Sequence, residues 1–113
     1  SIIALLSFMA IDYITGFIVA SVFHKSKKTE SGGLQSRAGW KGLFKKVTTI
    51  LLVVAANLLD EQIGANFVRD GVCIAFMTNE LLSIVENASL MGLPLPNALK
   101  KALDILSTEK GEK

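Results

Sequence analysis

The feature that most constrains this chain is an apolar stretch of 22 residues, Ile2 to Phe23, whose single charged side chain is Asp12 near its middle. About 20 apolar residues in a helix span the hydrocarbon core of a bilayer. The stretch is too long for a signal peptide, has no basic leader and carries an acid at its centre, so it reads as a membrane span. A second stretch, Phe44 to Ile63, contains the run Val47 to Leu59. A third runs from about Phe67 to 87 and carries Arg69, Asp70, Asn79 and Glu80. It reads as a third span, with a partly exposed amphipathic helix as the alternative. Half of the 113 residues are apolar and 19% are charged, more apolar surface than a soluble domain of this size can hide. The expectation is an all-α integral membrane protein of one domain, 1–113, with about three transmembrane helices (2–23, 44–63, 67–87) and a short C-terminal amphipathic helix.

That last helix is expected over about 95–106. Gly92 supplies a left-handed stop to the third helix and Pro94 follows it. Pro96 and Asn97 then start a segment in which Leu95, Leu99, Ala102, Leu103 and Leu106 recur at helical spacing. Such a helix lies on the membrane surface or packs on its own protein, and the spacing does not choose between them. Ser107 to Lys113 is polar and expected to fray.

Charge placement gives an expected topology. The loop 24–43 and the residues after it carry Lys25, Lys27, Lys28, Arg37, Lys41, Lys45 and Lys46 against Glu30 alone. The connection between the second and third stretches carries Asp60, Glu61 and Asp70 against Arg69. Short Lys- and Arg-rich loops stay in the cytoplasm. The basic loop and the C-terminus are therefore expected on the cytoplasmic side of the membrane and Ser1 outside; a further helix before Ser1 would start the complete protein inside. Lys41, Lys45 and Lys46, with Trp40 at headgroup level, are candidate surface anchors.

The polar groups inside the apolar stretches carry the functional argument. A charged Asp at a helix centre costs roughly 2.5–3.5 kcal/mol on insertion scales, so Asp12 needs a helix or water to face. At about 1.5 Å per residue, Asp12 and Glu80 reach comparable depths and share a polar zone without necessarily touching. Asp12, Gly16 and Ala20 recur every four residues and form a groove for close helix approach. Arg69, Cys73, Phe76, Glu80, Ser83 and Asn87 form a stripe on the third stretch, and Asn57, Asp60 and Gly64 a shorter one on the second. Asn79 and Glu86 add to the polar set on the third stretch. Either these groups hydrogen-bond within and between subunits, or some line an aqueous lesion after assembly. As a group they favour a homo-oligomer.

Four segments in order, IDYITG (Ile11–Gly16), SRAGWKGLFKK (Ser36–Lys46), NELLSIVEN (Asn79–Asn87) and MGLPLPNALKKAL (Met91–Leu103), resemble the phage holin and toxin-secretion holin family of Gram-positive bacteria and their phages, which includes clostridial toxin-release holins. The resemblance runs from Ile11 to about Leu106. Asp12, Gly16, Gly39, Lys41, Gly42, Lys45, Lys46, Glu80, Ser83, Glu86, Asn87, Gly92, Pro94 and Pro96 match the family pattern. Family members usually carry more hydrophobic sequence before the first motif, and Trp40 varies an apolar or aromatic position. The resemblance implies a small inner-membrane protein that oligomerises and opens lesions at a set time, causing host cell lysis or toxin secretion. The cell-wall hydrolase or large toxin released is a functional partner without required direct contact.

Two other functions fit the residues: a small proton-coupled transporter or ion channel, which an intramembrane carboxylate suits, and a non-conducting scaffold subunit. No inverted repeat supports the transporter. An enzyme is not expected, since G-x-S-x-G, H-E-x-x-H and phosphate-loop motifs are absent. A lone His24 and a lone Cys73 give no metal or cofactor site. A net charge of +2 gives no nucleic-acid signature.

Overall fold

The computed structural model describes residues 2–109. Residues 110–113, which hold most of the tail expected to fray, lie outside them, as does Ser1. Four α-helices follow one another: α1 (Ile2–Ile18), α2 (Ser36–Ile63), α3 (Val68–Leu90) and α4 (Asn97–Glu109), and no strand occurs among the described residues. α1 continues into a π-helical turn, Val19–Phe23, closed by His24 in the left-handed region at φ 53°.

The helix ends follow from local chemistry. Gly64 ends α2 at φ 67°, with the Ala65 N–H donating to the Asp60 carbonyl at 2.9 Å. Gly92 ends α3 at φ 88°, with the Leu93 N–H reaching Ala88 O at 3.0 Å and the Gly92 N–H reaching Ser89 O at 3.0 Å. Both are left-handed stops of the kind glycine supplies without a Cβ penalty. The stop at Gly92 matches the expectation; α4 begins at Asn97, two residues after the expected start.

α2 begins at Ser36, not Phe44, so the last eight residues of the expected basic loop 24–43 are helical. Hydropathy marks where lipid begins, whereas backbone hydrogen bonding marks where the helix begins. At 1.5 Å per residue the 28-residue α2 is about 42 Å long, well beyond a hydrocarbon core of about 30 Å. The loop proper is 24–35. It folds back on itself through the Ser26 N–H to Gly32 O bond at 2.9 Å and the Thr29 hydroxyl to Gly33 O bond at 2.8 Å.

α3 is the central helix. It packs along α1 and α2, while α1 and α2 touch each other little. α1 and α3 run parallel: Leu5 and Met9 cluster with Cys73, and Thr15 meets Asn87. α2 runs antiparallel to α3, since Asn57 meets Arg69 and Lys46 meets Glu80. α4 folds back onto α3, so of the two placements open for this helix its own protein covers part of it.

Sidedness is inverted relative to a water-soluble bundle. Ile3, Ile14 and Phe17 on α1 and Leu51, Leu52 and Leu58 on α2 are exposed, whereas Asp12, Asp60, Thr78 and Asn87 are buried. Within α3 the only exposed large apolar side chain is Leu82. Two helices, Ile2–Phe23 and Ser36–Ile63, are long and apolar enough to cross a membrane. Only 22% and 11% of their most apolar windows is buried, too little for core helices of a soluble protein. α3 is long enough but holds Arg69, Asp70, Glu80 and Glu86, and it is the helix the other two cover.

Candidate functional site: a buried lysine between two carboxylates

The inward face of α2 repeats every three or four residues: Lys46, Thr49, Val53, Ala56 and Asp60. Val53, Ala56 and Asp60 are buried, and Lys46 and Thr49 half-buried. This spacing points Lys46 into the bundle, where α1 presents Asp12 and α3 presents Glu80. The Lys46 ammonium donates to Asp12 Oδ2 at 2.7 Å and to Glu80 Oε2 and Oε1 at 2.8 and 3.0 Å. The three side chains are only 15%, 6% and 13% exposed. One ammonium thus ties all three long helices together.

Asn87 completes the cluster. Its amide donates to Thr15 Oγ1 at 2.9 Å, to Asp12 Oδ1 at 3.2 Å and to the Asp12 carbonyl at 3.3 Å. The Thr15 hydroxyl donates back to Ile11 O at 2.8 Å, so it is free to accept from Asn87. Gly16 lies against this amide: a Cβ there would stand 3.7 Å from Asn87 Nδ2. Buried charges persist when paired and hydrogen-bonded. Among the described residues no buried side-chain nitrogen or oxygen lacks a partner.

Several sequence expectations change here. Asp12 and Glu80 do share a polar zone, and they meet through a common cation. Lys46, expected as a surface anchor, is instead that cation, because α2 starts ten residues before it and carries it inside. Its signal was legible: counting back from Asp60 in steps of three and four reaches Lys46. Lys41, Lys45 and Trp40 are exposed, and Trp40 stacks on Phe44 with ring centroids 5.9 Å apart. Asp12, Gly16 and Ala20 form a close-approach face, but α3 of the same chain occupies it at Asp12 and Gly16, and Ala20 is buried. Glu86 and Asn79 are exposed and Ser83 half-buried, and all three border the cavity between α1, α2, α3 and the loop.

Asp60, Asn57 and Arg69 form a separate site at the other end. Asp60 accepts from the Val68 and Arg69 N–H groups at 3.0 and 2.9 Å, so its carboxylate caps the first turn of α3, where the helix dipole favours negative charge. The Arg69 guanidinium donates to Asn57 Oδ1 at 3.1 Å.

Sequence reasoning missed Tyr13. Its hydroxyl donates to the Gly39 carbonyl at 3.1 Å and would stand 3.3 Å from a Cβ on Gly39, while its ring edge would meet one on Gly42 at an ordinary 3.9 Å. Gly39 thus lets α1 approach α2 closely at this level. Two glycines three apart opposite a tyrosine were the available signal.

Comparison with known proteins agrees on one family. The family model described as bacteriophage holin family matches residues 1–108. A probable holin of Bacillus phage phi105 is 32% identical over 91% of this chain and 71% of its own length. An uncharacterized protein of Listeria monocytogenes is 35% identical over 96% of this chain and 72% of its own. A 14.9 kDa protein of Clostridium perfringens, described as lying in the nagH 3′ region, is 33% identical over 96% of this chain and 78% of its own. No solved structure matches significantly. The apolar helices and these matches together point to a membrane protein, and the chain belongs to the bacteriophage holin family.

Proposed function

We propose that this chain is a holin that crosses the bacterial inner membrane three times, assembles with copies of itself and opens lesions that release a cell-wall hydrolase or a large toxin. The basic loop and the C-terminus face the cytoplasm and the Asp60–Gly64 turn faces outward, following the excess of lysine and arginine in the loop. The observation that carries the reading is the Asp12–Lys46–Glu80 triad, closed inside a bundle whose outer faces are apolar. α3 crosses as the shielded helix: Glu80 is spent on Lys46 of α2 and Arg69 on Asn57 of α2, so lipid meets mainly the other two.

The same geometry revises how assembly leads to a lesion. The polar faces of α1 and α3 are already occupied within one chain, so copies first meet through other surfaces. A water-filled lesion then needs the triad to open and its carboxylates to turn from Lys46 toward water or toward a neighbouring copy. Removing a partner from a buried ion pair costs about 3–5 kcal/mol, a barrier suited to a protein that stays closed until it is dense in the membrane.

Induced expression in bacteria, with and without a co-expressed cell-wall hydrolase, tests the function. Dye entry together with hydrolase-dependent lysis is expected. Continued growth with an intact permeability barrier contradicts the proposal. At equal expression, Asp12→Asn removes the charge and leaves one of the two accepting oxygens that Lys46 and Asn87 share, and an altered lysis time is expected. Unchanged timing and assembly would remove Asp12 from the mechanism.

A further inference from the structure

Above the triad, toward the loop, lies a cavity of about 310 Å³, enclosed by the second half of α1, the first turns of α2, the last turns of α3 and the loop 24–35. Its size is at the small end of ligand pockets, roughly 300–1,000 Å³. Its floor is Asp12, Lys46 and Glu80, which satisfy one another. Its walls are mainly apolar and include Phe17, Leu34 and Leu90. Three exposed lysines, Lys27, Lys28 and Lys45, stand at its rim. Among the described residues none of the three has a carboxylate within ion-pairing distance. Glu86 is the one other acid on the lining. The rim therefore carries an excess of positive charge over an apolar interior.

We propose that this cavity binds one anionic phospholipid, with its headgroup phosphate held by Lys27, Lys28 and Lys45 and the start of an acyl chain inside. The inference rests on the membrane reading of the preceding section. The chemistry selects an anionic amphiphile: a free anion gains nothing from the Phe17, Leu34 and Leu90 walls, and a zwitterionic lipid brings a cationic group to a rim already positive. The cavity lies at the end of the helices where the basic residues gather, and anionic headgroups of the cytoplasmic leaflet contribute about 1 kcal/mol per basic residue near the surface. The loop is built to hold its lysines there, since the Ser26–Gly32 and Thr29–Gly33 hydrogen bonds fold it into a closed turn bearing Lys27 and Lys28. The bound lipid would brace α2 against α3 over the triad.

Native mass spectrometry of the full chain, released from detergent micelles with phosphatidylglycerol or phosphatidylcholine of the same acyl chains, tests this. One phosphatidylglycerol is expected to be retained in preference. The triple variant Lys27→Gln, Lys28→Gln, Lys45→Gln is expected to weaken that retention about tenfold or more. Lys25→Gln, Arg37→Gln, Lys41→Gln removes as much charge from residues outside the cavity and is expected to change it by less than about twofold. Ala38→Phe keeps every lysine, fills the cavity and is expected to abolish retention. Equal loss in the two triple variants, wild-type retention by Ala38→Phe, displacement by inorganic phosphate, or no headgroup preference overturns the proposal. A chain that stays with membranes yet shows any of these overturns the lipid site alone. A chain that stays in the aqueous phase without detergent overturns the membrane reading as well.

Discussion

Asp12 and Asp60 are both buried carboxylates, yet they are satisfied in different ways. Asp60 is held by backbone N–H groups eight and nine residues further along, at the turn its own helix leads into. Asp12 is held by side chains 34 and 75 residues away, on two other helices. The first arrangement forms as soon as the turn forms and persists whatever α1 does. The second exists only while all three helices stay together. A carboxylate capped locally is a hinge pin, whereas a carboxylate held by tertiary partners is a latch. This difference places the conformational change of the proposed holin at the Lys46 end of the bundle and leaves the Asp60 turn intact through it.

Breaking the latch should give the largest effect. Lys46→Met leaves two buried carboxylates without their cation and should cost about 3–5 kcal/mol, read as loss of accumulated protein or as early permeabilisation. The triple variant Lys46→Met, Asp12→Asn, Glu80→Gln removes every charge and should recover most of that loss, because buried ion pairs are often replaceable by neutral groups. Failure of the triple variant to recover would show that the charges act in something besides mutual pairing. Asp60→Ala should cost about 0.5–2 kcal/mol, as for other lost helix caps, in the thermal midpoint of detergent-solubilised protein. It should leave lysis timing at equal expression far less changed than Lys46→Met does. A larger timing change at Asp60 would erase the distinction between latch and pin.

Two smaller changes sharpen it. Tyr13→Phe removes the bond to Gly39 O and should cost about 1 kcal/mol, while the ring keeps its seat against Gly42. Gly16→Ala should be neutral or stabilising by up to about 1 kcal/mol, since alanine favours the helix and its Cβ meets Asn87 at an ordinary 3.7 Å. Destabilisation by Gly16→Ala, measured by the same midpoint, would mean α1 and α3 approach more closely than described.

How much of this was legible beforehand depended on the range of the interaction. The stop at Gly92 and the capacity of Ile2–Phe23 to span a bilayer are properties of short segments, and reading the residues in order finds them. Asp12 and Glu80 were recognisable as misplaced in lipid, because their cost is local. Their partner was passed over although the three–four spacing from Asp60 points to it, because Lys46 follows a lysine-rich stretch and looks like the end of a loop when the helix start is judged by hydropathy. The π turn at Val19–Phe23 has no evident signal in its apolar residues. Tyr13 on Gly39 and Gly42 depends on how two helices meet, which spacing on either one alone does not state.

The central claim is that hydrocarbon surrounds the outer faces of α1 and α2 while polar groups turn inward. Spin labels on Ile14→Cys and Leu51→Cys, both on exposed faces, test it in reconstituted bilayers; the native Cys73 is fully buried and stays out of the labelling. The account predicts that both labels relax through collisions with dissolved oxygen and are shielded from a water-soluble nickel chelate. Free access of the chelate to both labels would contradict it.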